Sequence, residues 1–209
     1  MFWGCTQAEK QNIVVQENLK LQIYNDLLIE VVENYMYLLY LGEDSDNILF
    51  KTKDSSMKEK KRIKSHNKLF NEKERQKTVY LCDNPIKTAF MNTSLIDSNF
   101  FNIPSMRNLK VFSKVIYDSL NSEQTSLKAK DFKSETFLVK SILDYSDKDS
   151  KSQIGIVKFS KIFYYKNKNE AIVYCQFSCG GLCGKGLILK IRKQGYHWKV
   201  IENYTTWVS

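Results

Sequence analysis

Between Ile13 and Leu41 the apolar side chains Leu21, Tyr24, Leu28, Val31, Val32, Tyr35, Leu38 and Leu39 recur at helical spacing, while Asn25, Asp26, Glu30, Glu33 and Asn34 interrupt them. That repeat of threes and fours predicts a long amphipathic helix with a core face and a polar side. Gly42 follows the last periodic residue and marks the stop, because glycine accepts the left-handed conformation that closes a helix. From Ile154 onward the period falls to two. Gly155 to Tyr165 alternates with Val157, Phe159, Phe163 and Tyr165 on one side, and Ala171 to Ser178 places Ala171, Val173, Cys175 and Phe177 on one face. Leu187 to Arg192 and Trp198 to Glu202 complete four strands with short connections. The expected class is α+β: a long N-terminal amphipathic helix packed on a C-terminal antiparallel β-meander.

The middle of the chain is less regular. Thr78 to Cys82 predicts a short strand ended by Asp83-Asn84-Pro85, Leu109 to Leu120 a second helix, and Thr136 to Tyr145 is ambiguous between strand and helix. Residues 51–78 form the most polar stretch and read as an exposed helix or an inserted segment. His66 lies inside it with no neighbouring cysteine or second histidine, so it reads as a solvated side chain.

The chain has 209 residues and a formal net charge of +9. Its distribution decides what that charge means. Residues 1–50 carry 2 basic and 8 acidic side chains, residues 51–78 carry 11 and 4, and residues 151–209 carry 10 and 2. Only 4 of the 32 basic residues are arginine, whose planar fork reads phosphate and guanine bidentately. A lysine surface is therefore favoured over a nucleic-acid site, and a polyanion-binding function for the segment at 51–78 is the weakest of three functional readings.

Cysteine carries more information. Phe2-Trp3-Gly4-Cys5 followed by the polar run at 6–12 looks like the junction of a bacterial lipoprotein signal peptide, in which the cysteine after a small residue is lipidated. On that expectation residues 1–12 are a signal-peptide remnant and tether, residues 13–209 a single α+β domain, and Cys5 the acyl-bearing residue. Cys179-Gly180-Gly181-Leu182-Cys183-Gly184-Lys185-Gly186 is the most specific local motif. It is not a phosphate-binding loop, since Gly186 follows Lys185 where a hydroxyl is required and a strand follows the loop. Spacings of three between Cys175, Cys179 and Cys183 match neither iron–sulfur nor zinc runs, so no metal and no cofactor are expected. In an oxidising compartment Cys179 and Cys183 are the favoured disulfide, with Cys82 and Cys175 left as small core residues; in the cytoplasm, if Met1 is the true start, both are thiols.

The stretch from about Ser160 to Ser209, with Cys-Gly-Gly-Leu-Cys-Gly-Lys-Gly, then Trp-Lys-Val at Trp198 and Trp-Val-Ser at the end, resembles uncharacterised predicted lipoproteins of Gram-negative bacteria. A similar Leu-Tyr-Leu-Gly ends at Gly42. The resemblance implies an envelope location and a shared architecture, and no activity. Trp198 and Trp207 read as core aromatics, each wanting a partner for its indole N–H, with Gly184 and Gly186 able to seat one of them.

The leading expectation is a non-enzymatic envelope lipoprotein or secreted protein that binds a ligand or a protein partner and meets the membrane through its acyl anchor. The alternative is a small soluble enzyme in which Cys179 or Cys183 is the nucleophile and His197 the base, with Lys199 and Glu202 on the same rim. No catalytic residue is assigned.

Overall fold

A computed structural model describes residues 5–42, 54–82, 127–146, 152–165, 169–180 and 183–209. The class is α+β. Helix α1 spans Cys5–Glu30, passes through a π-turn at Val31–Tyr35, and after Met36 resumes as α2, Tyr37–Leu41. Helix α3 is Ser55–Asn71, and the strands are β1 Thr78–Leu81, β2 Leu138–Ser141, β3 Gln153–Phe159, β4 Phe163–Tyr165, β5 Glu170–Ser178, β6 Gly184–Gln194 and β7 His197–Val208. The helix predicted over 109–120 lies outside the described residues.

Two features of the first helix differ from expectation. It begins at Cys5 and not at Ile13, so residues 6–12, expected to serve as a tether, are helical. No glycine or proline falls between Cys5 and Gly42, and good helix formers such as Ala8, Glu9, Lys10 and Gln11 propagate a helix without an apolar repeat. The second difference is the π-turn, closed by Met36 N–H donating to Val31 O at 3.1 Å. The fully buried line Ile23, Leu27, Val31, Met36, Tyr40 steps by four, four, five and four residues. The wide turn absorbs one residue, so that the helix keeps the same side toward the core on both sides of it. Gly42 ends α2 with φ 60°, and Lys77 Nζ donates to Leu39 O at 2.6 Å, capping the helix C-terminus with a cation.

The described strands form one sheet in the order β2-β1-β3-β5-β6-β7, with β4 also on β5. Strands β3, β5, β6 and β7 pair antiparallel in sequence, with Val157 opposite Phe177, Val173 opposite Leu189 and Leu189 opposite Asn203. The single strand expected over 155–165 is broken. At Ser160 the chain leaves the ladder: Ser160 N–H donates to Tyr174 O at 2.8 Å, and Ser160 Oγ accepts from Tyr174 N–H at 2.9 Å. Beyond the break β4 rejoins β5 nearer its start, opposite Ala171. Strands β1 and β2 extend the sheet on the β3 side in parallel, with Thr78 opposite Leu138 and Leu81 opposite Val157. The ambiguity over 136–145 resolves into β2 followed by a 3₁₀ turn, Ile142–Asp144.

The core lies between the helix and one face of this sheet. Tyr24, Leu28, Val31 and Val32 meet Val157, Phe159, Val173, Cys175, Leu189 and Trp198, all at most 3% exposed. The other face is also covered over the central strands, since Ile172, Tyr174 and Ile188 are at most 2% exposed. Removing side chains of this size from water supplies about 1.5–3 kcal/mol each.

Candidate functional site

The polar side of α1 is where the molecule's separate parts meet. Gln22, Asp26 and Glu30 follow at four-residue spacing and so stand above one another on one helix face. Gln22 Nε2 donates to Tyr196 O in the β6–β7 turn. Asp26 Oδ2 accepts the Trp198 backbone N–H at 2.8 Å, and its Oδ1 lies 3.2 Å from His197 Nδ1. Glu30 reaches Lys199 Nζ at 3.7 Å. Burial raises the Glu30 carboxyl above the ordinary carboxylate range, and Lys199 opposes that rise. Asn25 Oδ1 accepts from Lys133 N–H at 2.7 Å, so a second loop is held from the same helix.

The π-turn itself carries the second group. Glu33 Oε1 is 3.0 Å from His66 Nε2 of α3 and accepts from Thr136 Oγ1 at 3.3 Å. Asn34 Oδ1 accepts from Arg62 Nη1 at 3.2 Å. Helix α3 is started by Asp54, whose Oδ1 accepts from Ser56 Oγ at 2.8 Å and from Ser56 N–H at 2.7 Å, bonds that hold this carboxyl below the usual range. His66, expected to be solvated, is therefore a half-buried partner of a carboxylate, with Tyr40 set edge-on at 6.4 Å between ring centres. Its partner sits 33 residues away across an element boundary, and no local spacing signals it. Between the π-turn, α2 and α3 lies a cleft of about 210 Å³, lined by Glu33, Tyr40, Leu41, Arg62, Ile63 and His66. A carboxylate, a guanidinium and an imidazole converge there beside an apolar wall. Burial pushes the Tyr40 phenol up to about 12, so it remains neutral. The arrangement sets paired donors and acceptors in a space smaller than the roughly 300 Å³ at which ligand pockets usually begin.

The cysteine motif lies elsewhere. Cys179 and Cys183 sulfurs are at disulfide distance, with Cα atoms 5.1 Å apart. The connection from β5 to β6 folds back as it must: Cys179 N–H donates to Cys183 O at 2.7 Å, and Gly180 has φ 125°. Cys175 is fully buried in the core and its thiol is pushed up by desolvation; Cys82, at the end of β1, is half-buried. Neither is bonded to another cysteine. Cys5 is the first residue of α1.

The topology does not bring Cys179 or Cys183 together with His197, the pair expected as nucleophile and base. The cysteines stand at the start of β6 and His197 follows its end, so the length of β6 separates them. Eleven residues of strand span roughly 35 Å at about 3.3 Å each. His197 is engaged with Asp26, Lys199 with Glu30, and Glu202 with Lys190 Nζ at 3.4 Å.

No protein family, curated protein or solved structure matches the chain.

Among the described residues no three His, Cys, Asp or Glu side chains stand close enough to hold a metal ion, and no helix is long and apolar enough to cross a membrane. The two tryptophans part company. Trp207 lies over Gly184 and Gly186 and donates its indole N–H to Tyr174 Oη at 2.8 Å. Trp198 is 1% exposed in the core, edge-on to Tyr164 at 6.4 Å, and among the described residues its indole N–H has no acceptor.

Proposed function

We propose that this chain is a non-enzymatic protein of the bacterial cell envelope, anchored by lipid on Cys5 or secreted, whose domain binds a ligand or protein partner. The observation that carries the location is the Cys179–Cys183 pair at disulfide distance on an ordered strand connection, because such bonds persist in oxidising compartments and are reduced in the cytoplasm. The polar cleft formed by Glu33, Tyr40, Arg62 and His66 is the binding site in this reading. The fold that accompanies it is a long N-terminal helix laid on a C-terminal antiparallel meander, supported by the bonds from Gln22 and Asp26 to β7 and by the continuous β5–β6–β7 register.

The test uses the gene with its own upstream DNA in a Gram-negative host. Radiolabelled palmitate should enter the protein and be lost in Cys5→Ala, and denatured, unreduced envelope material should titrate with Cys82 and Cys175 as its only thiols. Recovery in the cytoplasmic fraction with Cys179 and Cys183 reduced overturns the envelope assignment. Secretion without label removes the anchor and leaves the location.

A further inference from the structure

Helix α3 turns one side to the body of the protein and another to solvent. Arg62 and His66 reach Asn34 and Glu33, and Leu69 packs against the core. On the other side the exposed Lys60 and Lys64 follow at four-residue spacing and form a row along the helix. Ile63 and Phe70, seven residues apart, flank that row on one side, and Met57 flanks it on the other. These three are 51%, 44% and 51% exposed, so each keeps about half its apolar surface in water. The helix carries six basic side chains and one acidic, and the acidic Glu59 is held by Arg62 at 3.4 Å.

We propose that this outward face of α3 docks on an anionic phospholipid surface. Charge complementarity selects the sign of the partner, and the flanking apolar groups select its kind. A headgroup layer accepts lysine ammonium groups on its phosphates and short apolar side chains at the boundary with the acyl chains. Nucleic acid rewards the ammonium groups but gives Met57, Ile63 and Phe70 nothing to enter. The guanidinium groups best suited to bidentate phosphate contacts are already engaged, Arg62 with Glu59 and Asn34, and Arg75 with Glu72 at 2.5 Å. The surface is made by α3 alone and stands whether or not Cys5 carries lipid.

The test uses the full chain purified without an acyl group, sedimented with vesicles of phosphatidylcholine alone or mixed with phosphatidylglycerol. Binding is expected only to the mixed vesicles and is expected to weaken steeply as salt rises, because the attraction acts within a Debye length. Each lysine near the surface is worth about fivefold in affinity, so Lys60→Gln with Lys64→Gln should weaken binding by about 25-fold. Met57→Ser with Phe70→Ser should weaken it independently of salt, and circular dichroism verifies that both variants keep the native helix content. Equal binding to neutral vesicles, a double lysine variant that binds like wild type, or preference for duplex DNA over the mixed vesicles overturns the proposal. Since the protein tested has no acyl chain, a negative result leaves palmitate labelling of Cys5 untouched, and loss of labelling leaves vesicle binding untouched.

Discussion

Asp26→Ala is the substitution that tests the helix-to-strand clasp most sharply. The Asp26 carboxylate is 12% exposed, accepts the outward N–H of Trp198 at 2.8 Å and faces His197 at 3.2 Å. Trp198 itself is 1% exposed, so water is a poor replacement for the lost acceptor. A hydrogen bond to a charged group contributes about 1.5–3 kcal/mol, and leaving the buried partner unpaired costs on the same order, so alanine should cost about 2–3 kcal/mol. Asparagine retains an oxygen that can accept the same N–H and loses only the charge, which about halves the bond; Asp26→Asn should cost about 1 kcal/mol. His197 is 69% exposed, so its pairing with Asp26 contributes at most about 0.5 kcal/mol, and His197→Gln should be nearly silent. Urea unfolding resolves the three, since at a slope near 2 kcal/mol/M the alanine variant shifts its midpoint down by about 1 M. Hydrogen exchange should locate the effect at the Trp198 amide. If alanine and asparagine cost the same, the backbone bond is not what Asp26 supplies; if His197→Gln costs as much as Asp26→Ala, the ion pair is, and the assignment is refuted.

Other perturbations probe other parts of the molecule. Gly186→Ala would drive a methyl group into the Trp207 indole and to 2.6 Å from Thr206 Oγ1, displacing the ring from Tyr174; a cost of about 1–3 kcal/mol and a lowered Tm by circular dichroism are expected. Cys179→Ser with Cys183→Ser opens a short loop, for which chain entropy gives about 2 kcal/mol. Dithiothreitol should lower the urea midpoint of wild type by about 1 M and leave the double variant where it is. Burial holds the Tyr40 and Tyr164 phenols at about 12 and Tyr24 higher still, against an ordinary value of 10.0. Stability linked to these neutral phenols is fully present below pH 10.0 and is lost as pH rises through about 12. Absorbance at the phenolate band should therefore rise together with loss of far-ultraviolet dichroism in that window, and Tyr40→Phe should move the unfolding upward in pH.

The helix and the late strands were legible because their signals are local. Tyr24, Leu28, Val31 and Val32 repeat within a few turns, and Ala171, Val173, Cys175 and Phe177 alternate within one strand; all eight are buried. Locality also explains why Cys179 with Cys183 could be named in advance, four residues apart on a glycine-rich connection. Expectations failed where one residue alters phase. The extra residue of the π-turn moves Met36 and Tyr40 onto the core line, which a strict helical repeat does not anticipate, and Ser160 breaks a strand whose alternation is uninterrupted on paper. The strand at Thr78 to Leu81 was expected, but its parallel pairing was out of reach for a different reason, since residues 78–81 find their partners at 138–141 and 153–157.

The candidate site follows the same rule in its hardest form. Asp26, Glu30, Glu33 and Asn34 are recognisable in sequence as the polar side of a helix, and a polar side is ordinarily hydrated. What turns them into a clasp and one wall of a cleft is desolvation by partners that lie 172 residues away for Asp26 and 33 for Glu33. Hydrophobic periodicity is set by the nearest turns, but the role of a carboxylate is set by whichever donor reaches it after folding. The histidines illustrate this from the other side: His66 read as a solvated side chain and His197 as a base for the cysteine loop, and both face a carboxylate carried by the first helix or its π-turn. A polar stripe opposite an apolar one, followed by basic and histidine-bearing segments with no local partner, is thus the kind of pattern from which such a clasp has to be inferred.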